Sequence, residues 1–318
     1  MPGKALVTGV AGFIGSHLAE KLLDKGFDVN GVDCFTPAYA RELKERNLSG
    51  LSSSPRFTFL EDNLLTANLD KLCKDVRYVF HLAAQAGVRS SWGSQFEIYT
   101  SLNVNLTQRL LEYFKGRSIV SFVYASSSSV YGEAKTLPVT EDSERRPLSP
   151  YGVTKLAGEN LCTLYWQNFR VPCVSLRYFT VYGPRQRPDM ALSKFIQAVL
   201  DDRGIQIYGD GNQSRDFTYV EDAVEGTFSA MTGELSGKIF NIAGGSRTTV
   251  NECIGIIEKE LGRKARVSYI ASEKGDPVHT MADTTLARTV LGFSPCTKIG
   301  DGLVRQTGWA KENFRRER

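Results

Sequence analysis

One tyrosine–lysine pair in the sequence has the spacing of a proton-transfer site. Tyr151 and Lys155 are four residues apart, and residues at that spacing share one face of a helix. Ser149 and Pro150 precede the pair as an N-cap and a first helical residue, and the predicted helix continues to Phe169. A nearby ammonium stabilises a phenolate. We therefore predict that Tyr151 acts as a base near neutral pH with Lys155 beside it.

A second pair, Tyr131 and Lys135, has the same spacing in different surroundings. Gly132 follows the tyrosine directly and Pro138 comes soon after, so this stretch is predicted to be a loop and the pair a chance match. Just upstream, the run Ser126–Ser129 ends a predicted strand and supplies a hydroxyl that can pass on a proton. None of the three histidines lies near these motifs, which disfavours a Ser-His-Asp hydrolase.

A glycine-rich turn near the amino terminus predicts a site for nucleotide phosphates. It follows the apolar run Lys4–Thr8 and opens a stretch with helical periodicity. Three glycines spaced by three permit a tight turn and a close approach to a pyrophosphate, which the N–H groups of the helix N-terminus then face. The candidate contacts are Gly9, Gly12, Phe13, Ile14 and Gly15.

The residue that ends the second predicted strand indicates which dinucleotide binds. Asp33 comes 24 residues after Gly9, where a carboxylate accepts hydrogen bonds from the adenine ribose. Cys34 and Phe35 offer no cation for a 2′-phosphate, which favours NAD over NADP. Further candidate cofactor contacts follow the third and fourth predicted strands: Asp62, Asn63, Leu82, Ala83, Ala84 and Gln85.

Strand-like and helix-like stretches alternate through the first half, which predicts an α/β fold with a parallel sheet covered on both faces. The predicted strands are Lys4–Thr8, Phe27–Asp33, Arg56–Leu60, Arg77–Ala83, Ser118–Ala125, Pro172–Phe179 and, later, Lys238–Ile242. The predicted helices are Phe13–Lys25, Phe96–Lys115, Tyr151–Phe169, Ala191–Asp202, Val220–Met231, Val250–Leu261 and Gly302–Phe314. Thr36–Pro55 and Gly132–Pro150 are predicted loops.

The composition is that of an ordinary globular protein. The 318 residues have a net charge of +4, with 42% hydrophobic and 23% charged residues, which excludes disordered and fibrous classes. The only dense basic cluster is Arg315, Arg316 and Arg318, too small for a nucleic-acid surface. The sequence has no membrane-length apolar run, no signal-peptide pattern and no metal-ligand spacing, and its six cysteines are scattered. We therefore predict a cytoplasmic protein without a metal.

Six sequence features together resemble one family. These are TGVAGFIG, Asp33, HLAAQAGVR, ASSSSVYG, SPYGVTK and RYFTVYGPRQRPDM. They are similar to the extended short-chain dehydrogenase/reductases, in the nucleotide-sugar epimerase branch that acts on UDP-glucuronic acid. The resemblance implies a Rossmann-type doubly wound sheet, with an NAD-binding domain at 1–179 that recruits about 217–243. It also implies a smaller α/β nucleotide-sugar-binding domain at 180–318, and a homodimer formed through the helices at Phe96–Lys115 and Tyr151–Phe169.

The resemblance also implies a reaction. NAD oxidises the C4 hydroxyl of the sugar, the 4-keto sugar rotates, and hydride returns to the opposite face, giving UDP-galacturonic acid from UDP-glucuronic acid. In this scheme Tyr151 is the base and later the acid, Lys155 lowers its pKa and holds the nicotinamide ribose, and Ser127 is the catalytic hydroxyl. Asn103 and Tyr178 join Tyr151 and Lys155 as cofactor contacts.

Small hydroxyl residues distinguish the branches of the family. Ser128 and Ser129 stand where 4,6-dehydratases carry Asp-Glu and where UDP-glucuronate decarboxylases carry a Glu, which disfavours dehydration and, less strongly, decarboxylation. Thr180 stands where UDP-galactose-type epimerases carry Asn. With Arg187 as cationic partner, these residues would hold the sugar carboxylate in a plane that suppresses loss of CO₂. The alternatives left open are a 4-epimerase of UDP-N-acetylglucosamine or UDP-galactose, a UDP-glucuronate decarboxylase, a sugar reductase and a non-catalytic nucleotide-binding regulator.

The remaining substrate contacts implied by the resemblance are basic. Arg215 matches an arginine that grips the diphosphate, where a planar guanidinium suits two phosphate oxygens. Glu273 occupies the position of a second such arginine, and Lys194 or Lys274 would substitute for it. Arg89, Arg185 and Asp276 complete the candidate set, together with Ser127 and Tyr151.

Overall fold

A seven-stranded parallel sheet lies at the centre of the computed structural model, which describes residues 3–271 and 275–314. The strands are β1 (Lys4–Thr8), β2 (Asp28–Asp33), β3 (Phe57–Glu61), β4 (Val76–His81), β5 (Ser121–Ser127), β6 (Cys173–Tyr178), β7 (Val181–Tyr182), β8 (Gly204–Tyr208), β9 (Ser214–Asp216), β10 (Thr218–Tyr219), β11 (Ile239–Ile242), β12 (Arg247–Thr249) and β13 (Arg266–Ile270). The helices are α1 (Phe13–Asp24), α2 (Arg41–Leu48), α3 (Leu69–Leu72), α4 (Phe96–Tyr99), α5 (Leu106–Phe114), α6 (Pro150–Phe169), α7 (Ala191–Leu200), α8 (Val220–Ser229), α9 (Val250–Leu261), α10 (Thr285–Leu291) and α11 (Ile299–Phe314).

The order of the strands confirms the predicted doubly wound fold. Across the sheet they run β11-β6-β5-β4-β1-β2-β3, and every pairing in it is parallel. The direction of winding reverses between β1 and β4, and in such sheets ligands bind in the crevice outside the carboxyl ends of the strands at that point. The candidate site residues that follow β1, β2, β4 and β5 therefore meet at one edge.

Alternate residues of the central strands pack into two apolar clusters, one on each face of the sheet. Ala5 and Val7 of β1 pack into one cluster with Leu18 of α1, whereas Leu6 packs into the other with Leu110 of α5. This is the two-residue period of a strand that is covered on both sides. The central strands are apolar almost throughout for this reason, and their few polar residues need hydrogen-bond partners.

The second half of the chain returns to the sheet. Phe240 of β11 pairs with Leu176 of β6, so the edge strand comes from residues well beyond the first half. The other strands of this half form three two-stranded sheets: β7 with β10, β9 with β12, and β8 with β13. No helix among the described residues has the length and apolar character needed to cross a membrane. The basic cluster at Arg315–Arg318 and the candidates Glu273 and Lys274 lie outside the described residues.

Two predictions need correction. Thr36–Pro55 is not simply a loop, because it contains α2. The buried positions of α2 include Lys44 and Asn47, whose side chains form hydrogen bonds inside the protein. Because these residues are polar, the sequence of α2 does not show the apolar periodicity of a helix. The strand predicted at Ser118–Ala125 lies at Ser121–Ser127, so the catalytic candidate Ser127 is the last residue of the strand.

The long helix predicted at Phe96–Lys115 is present as α4 and α5, joined by a π-helical segment at Thr100–Asn105. An extra residue per turn of this kind is frequent at functional sites. It brings Asn103 into a buried position that faces α6, where its amide donates to Thr154 Oγ1 at 3.0 Å.

Candidate active site

The end of β5 and the first turns of α6 bring the three catalytic candidates together. Ser149 Oγ accepts a hydrogen bond from Gly152 N at 3.1 Å and thereby starts α6 directly before Tyr151. The side chain of Ser127 lies close enough to Tyr151 to lower the pKa of its hydroxyl. Lys155, one turn further along, is buried and donates from Nζ to Ala125 O at 2.9 Å.

The pKa of Tyr151 is set by burial and by two neighbouring side chains. Burial raises it above its usual value, whereas the hydroxyl of Ser127 and the positive charge of Arg187 lower it. Burial lowers the pKa of Lys155 to about 8. The Lys155 ammonium donates to a strand carbonyl, and its effect on the pKa of Tyr151 stays a prediction.

The glycine turn has the form expected of a phosphate site. Gly9 has a φ of +71°, and a Cβ there would come within 2.9 Å of Ala83 Cα, so only glycine allows β1 and the chain after β4 to meet. A Cβ on Gly15 would overlap Gly9 O. Gly12 caps α1 without a side-chain hydrogen bond, which leaves the N–H groups of the first turn available to an anion.

The loop after β2 fits the adenine ribose of NAD. Asp33 Oδ1 accepts from Phe35 N at 2.9 Å, and this turn leaves the second carboxylate oxygen for a ribose hydroxyl. Lys44 of α2 lies nearby and donates to Thr36 O at 2.9 Å; burial lowers its pKa and the charge of Asp33 opposes that effect. Lys44 and Tyr39 were not among the site residues predicted from the sequence. The Tyr39 hydroxyl is buried and has no hydrogen-bond partner among the described residues.

The chain after β4 is held by hydrogen bonds to its backbone. Thr8 Oγ1 accepts from Leu82 N at 3.1 Å and from Ala83 N at 3.0 Å. Asn103 accepts from Gln85 N at 2.7 Å and donates to Gln85 O at 2.9 Å. These contacts fix the backbone from Leu82 through Ala84 to Gln85 at the crevice. Because the amide of Asn103 is engaged by Gln85 and Thr154, the structure gives it a positioning role and does not support a direct cofactor contact.

Three further cofactor candidates have clear positions. Asp62 and Asn63 follow β3 at the carboxyl edge, where Asp62 N donates to Asp33 O at 3.2 Å and Asn63 Oδ1 accepts from Leu65 N at 3.0 Å. Tyr178, in contrast, lies in the apolar core, and its hydroxyl is 2.7 Å from Thr227 Oγ1. Its side chain therefore packs the interior, and its assignment to the cofactor is not supported.

Arg187, in the second half of the chain, lies near enough to Tyr151 for its positive charge to lower the pKa of that residue. Its guanidinium forms two hydrogen bonds with the carboxylate of Asp189, at 2.9 and 2.8 Å. Burial alone would lower the pKa of Arg187, but Asp189 and the neighbouring Tyr151 and Tyr39 raise it. Lys194, at the start of α7, lies within electrostatic reach of the same Asp189.

Small hydroxyl residues follow the ends of the neighbouring strands β5 and β6. Ser128 and Ser129 begin a single 3₁₀ turn after β5, and Ser129 N donates to Ser127 Oγ at 3.1 Å. Thr180 follows β6, with its carbonyl accepting from Thr218 N at 3.0 Å.

The predicted role of Arg185 is not supported. Its guanidinium donates to both carboxylate oxygens of Glu20, at 2.7 and 2.9 Å, and to Ser16 Oγ at 3.1 Å. Arg185 therefore joins the second half of the chain to α1, and the similar spacing of Arg185 and Arg187 in the sequence conceals two different tasks.

A second basic group forms where the diphosphate was predicted. Arg89 Nη2 lies 3.1 Å from Asp276 Oδ2, and its guanidinium stacks 4.0 Å from the ring centre of Tyr208. Arg215 donates to Val278 O at 3.1 Å. Burial lowers its pKa, and so does the charge of Arg89, while Asp276 has the opposite effect. Because the charge of Arg89 disfavours the charged form of Arg215, an anion bound beside both side chains would be favourable.

The chain is similar to known proteins over nearly its whole length. Residues 5–243 match the model of the NAD dependent epimerase/dehydratase family. The chain is 48% identical over 317 residues to YtcB, an uncharacterised UDP-glucose epimerase of Bacillus subtilis. The alignment covers 99% of this chain and 100% of that one. It is 39% identical to a UDP-glucuronate 4-epimerase of Thermodesulfobacterium geofontis, over 98% of this chain and 97% of that one.

Among solved structures, a UDP-glucuronic acid 4-epimerase from Bacillus cereus in complex with UDP-glucuronic acid and NAD superposes with a TM-score of 0.95. Its sequence is 44% identical, and the match covers 97% of this chain and 99% of that one. The glycine turn, the serine at the end of β5 and the Tyr-x-x-x-Lys helix lie within the matched residues. The chain therefore belongs to the NAD dependent epimerase/dehydratase family.

Proposed function

We propose that this protein converts UDP-glucuronic acid to UDP-galacturonic acid by epimerisation at C4. The observation that carries the proposal is the convergence of Ser127, Tyr151 and Arg187, which places a proton acceptor beside a cation suited to a sugar carboxylate. The similarity to the Bacillus cereus enzyme, whose structure contains both UDP-glucuronic acid and NAD, supports the same substrate.

The glycine turn and Asp33 would hold NAD, which would supply the hydride acceptor and donor for the change at C4. The residues of this chain supply the proton chemistry and the orientation. Tyr151 accepts the proton of the C4 hydroxyl and gives it back after the hydride returns, and Ser127 hydrogen-bonds the reacting oxygen. Lys155 contributes a buried cation one turn away on the same helix face.

The sugar carboxylate explains the small hydroxyls. Ser128, Ser129 and Thr180 can donate hydrogen bonds but cannot act as the carboxylate bases that elimination requires. Arg187 supplies the positive charge, and in this structure Asp189 occupies its guanidinium. These donors would hold the carboxylate in the plane of the keto group's carbon–carbon bonds. The bond that breaks on loss of CO₂ then overlaps poorly with the carbonyl π-system, so this loss is slow.

The remaining proposals concern the two domains, the oligomeric state and the location of the protein. We propose that residues 1–179, with about 217–243, hold NAD, and that the rest of 180–318 holds the nucleotide sugar, with Arg89 and Arg215 at its diphosphate. We also propose a cytoplasmic homodimer with small-molecule partners and no nucleic acid. The outer faces of α4 and α6 expose Ile98, Val153 and Leu164 by 42%, 51% and 52%, which a second copy would cover.

One assay tests the substrate. The purified protein is incubated with UDP-glucuronic acid without added NAD, and the products are followed by NMR. UDP-galacturonic acid is the expected product. A UDP-pentose with CO₂ would show decarboxylation, and turnover of UDP-galactose or UDP-N-acetylglucosamine alone would refute the proposed substrate.

A further inference from the structure

The largest fully buried side chain of the described residues is a charged one. Arg177 of β6 has no exposed surface, and it forms two hydrogen bonds with the carboxylate of Glu159 on α6: Nε to Oε2 at 2.9 Å and Nη2 to Oε1 at 2.6 Å. This pair lies below the proposed catalytic residues and contributes no atom to the crevice. Neither residue belongs to the predicted site.

Glu159 continues the catalytic face of α6. Tyr151, Lys155 and Glu159 are spaced by four, and they lie beside three consecutive residues at the end of β5. Ala125 O accepts from Lys155 Nζ at 2.9 Å. The other two rungs are the hydrogen bond from Ser126 Oγ to Glu159 Oε2, at 2.8 Å, and the proximity of Ser127 to Tyr151.

Arg177 ties this ladder to the rest of the chain. Its Nη1 donates to the hydroxyl of Tyr131 at 2.7 Å and to Glu141 O at 2.7 Å. The Tyr131 hydroxyl donates in turn to Asn241 Oδ1 of β11 at 2.7 Å. The tyrosine of the second Tyr-x-x-x-Lys match therefore has a task in this network, while Lys135 is 3.7 Å from Glu144.

Stability alone does not account for this arrangement. A buried ion pair generally stabilises a protein no more than apolar residues of the same volume would. Apolar side chains, however, permit a helix to slide or rotate on a sheet, whereas directional hydrogen bonds fix one register. The register between β5 and α6 is the one that decides whether Ser127 and Tyr151 meet.

We propose that Arg177 and Glu159 are positioning residues, which hold the end of β5 and the inner face of α6 in the register that aligns Ser127 with Tyr151. Ser126 transmits this constraint, because its side chain is bonded to Glu159 and it directly precedes Ser127 in β5. The kinetic part of the test rests on the proposed function, and its spectroscopic part does not.

The first experiment compares Ser126→Ala with Ser121→Ala. Both serines are buried in β5, but Ser121 Oγ has no hydrogen-bond partner among the described residues. We expect Ser126→Ala to lower kcat for UDP-glucuronic acid by about tenfold, since a misplacement of about 1 Å costs roughly a hundredfold. In Ser126→Ala, KM and the NAD content should stay as in the parent protein. Ser121→Ala should change neither kcat nor KM.

The same variants are labelled with ¹³Cζ-tyrosine, and the Tyr151 signal is identified by its loss in Tyr151→Phe. That signal should move in Ser126→Ala and stay in place in Ser121→Ala. Equal signals and equal kcat in both variants would overturn the proposal. If the parent protein does not turn over UDP-glucuronic acid, the proposed function fails, and the NMR comparison alone decides the positioning role.

The second experiment replaces the pair by apolar residues in the double variant Arg177→Met, Glu159→Leu. We expect a folded protein that still binds NAD, with kcat reduced by about a hundredfold and KM little changed. A folded double variant with the kcat of the parent would show that the pair is only structural. If the double variant does not fold, the comparison of the two serines decides.

Discussion

At the scale of single residues, the phenol of Tyr151 is the group on which turnover depends. Tyr151→Phe should reduce kcat by at least about a hundredfold, the lower range for loss of a general base, while NAD remains bound. Tyr131→Phe has a different cost, because it leaves Arg177 and Asn241 short of a partner and lowers the free energy of unfolding by about 1–3 kcal/mol. Steady-state kinetics and urea unfolding separate the two effects. Loss of turnover in Tyr131→Phe with an active Tyr151→Phe would disprove the assignment of the base.

Two arginines two residues apart offer a matched test of the carboxylate site. Arg187→Met should raise KM for UDP-glucuronic acid by about 10- to 100-fold, the value of a hydrogen bond to a charged group, and should affect binding of UDP-glucose little. Arg185→Met removes the same charge from a residue that is bound to Glu20. It should leave KM near that of the parent. Equal effects of both substitutions on KM would return Arg185 to the substrate site.

At the scale of elements, the outer faces of α4 and α6 carry the proposed dimer. Leu164→Glu places a charge on that face, where Leu164 is 52% exposed in the single chain. Because an unpaired charge is costly to bury at an interface, we expect a monomer by size-exclusion chromatography with light scattering. Leu286→Glu, on α10, replaces a leucine that is 37% exposed on another surface and serves as the control. A monomeric parent protein, or an unchanged dimer in Leu164→Glu, would refute this interface.

The elements that sequence could predict are those with a clear period or a motif. The glycine turn and the Tyr-x-x-x-Lys helix were found because backbone geometry demands glycine in one and a four-residue spacing in the other. Helix α2 was missed because Lys44 and Asn47 occupy its buried side. The network around Arg177 was missed for a related reason. Its members are far apart in the chain, and a charged residue inside an apolar strand gives no sign of which partner neutralises it.

At the scale of the whole molecule, the buried His81 and the largely buried His17 make stability depend on pH. Burial, helped by Arg185, lowers the pKa of His17 to about 4, and burial with Lys155 lowers that of His81 to about 3. Both values lie below the unfolded value near 6.5. From pH 6.5 down to about 4 the unfolded chain therefore binds more protons, and each histidine removes about 1.4 kcal/mol of stability per pH unit.

Urea unfolding at several pH values measures this slope. Asp216 works in the opposite direction, because burial raises its pKa to about 6, so the comparison must be made between variants. His17→Gln can keep the hydrogen bond to Pro184 O without titrating. It should reduce the loss of stability between pH 6.5 and 4.5, and an unchanged slope would contradict the neutral state of buried His17.

The edge strand β11 has a consequence for how the protein is made. A ribosome releases the first six strands of the sheet long before residues 239–242, which cover the open edge of β6. Until then an unpaired row of backbone N–H and C=O groups stays exposed on the nascent chain, a surface on which two unfinished chains can pair. Asn241 arrives with the same strand and completes the hydrogen bonds of Tyr131. A fragment ending at residue 179 would thus aggregate rather than form a working nucleotide-binding module.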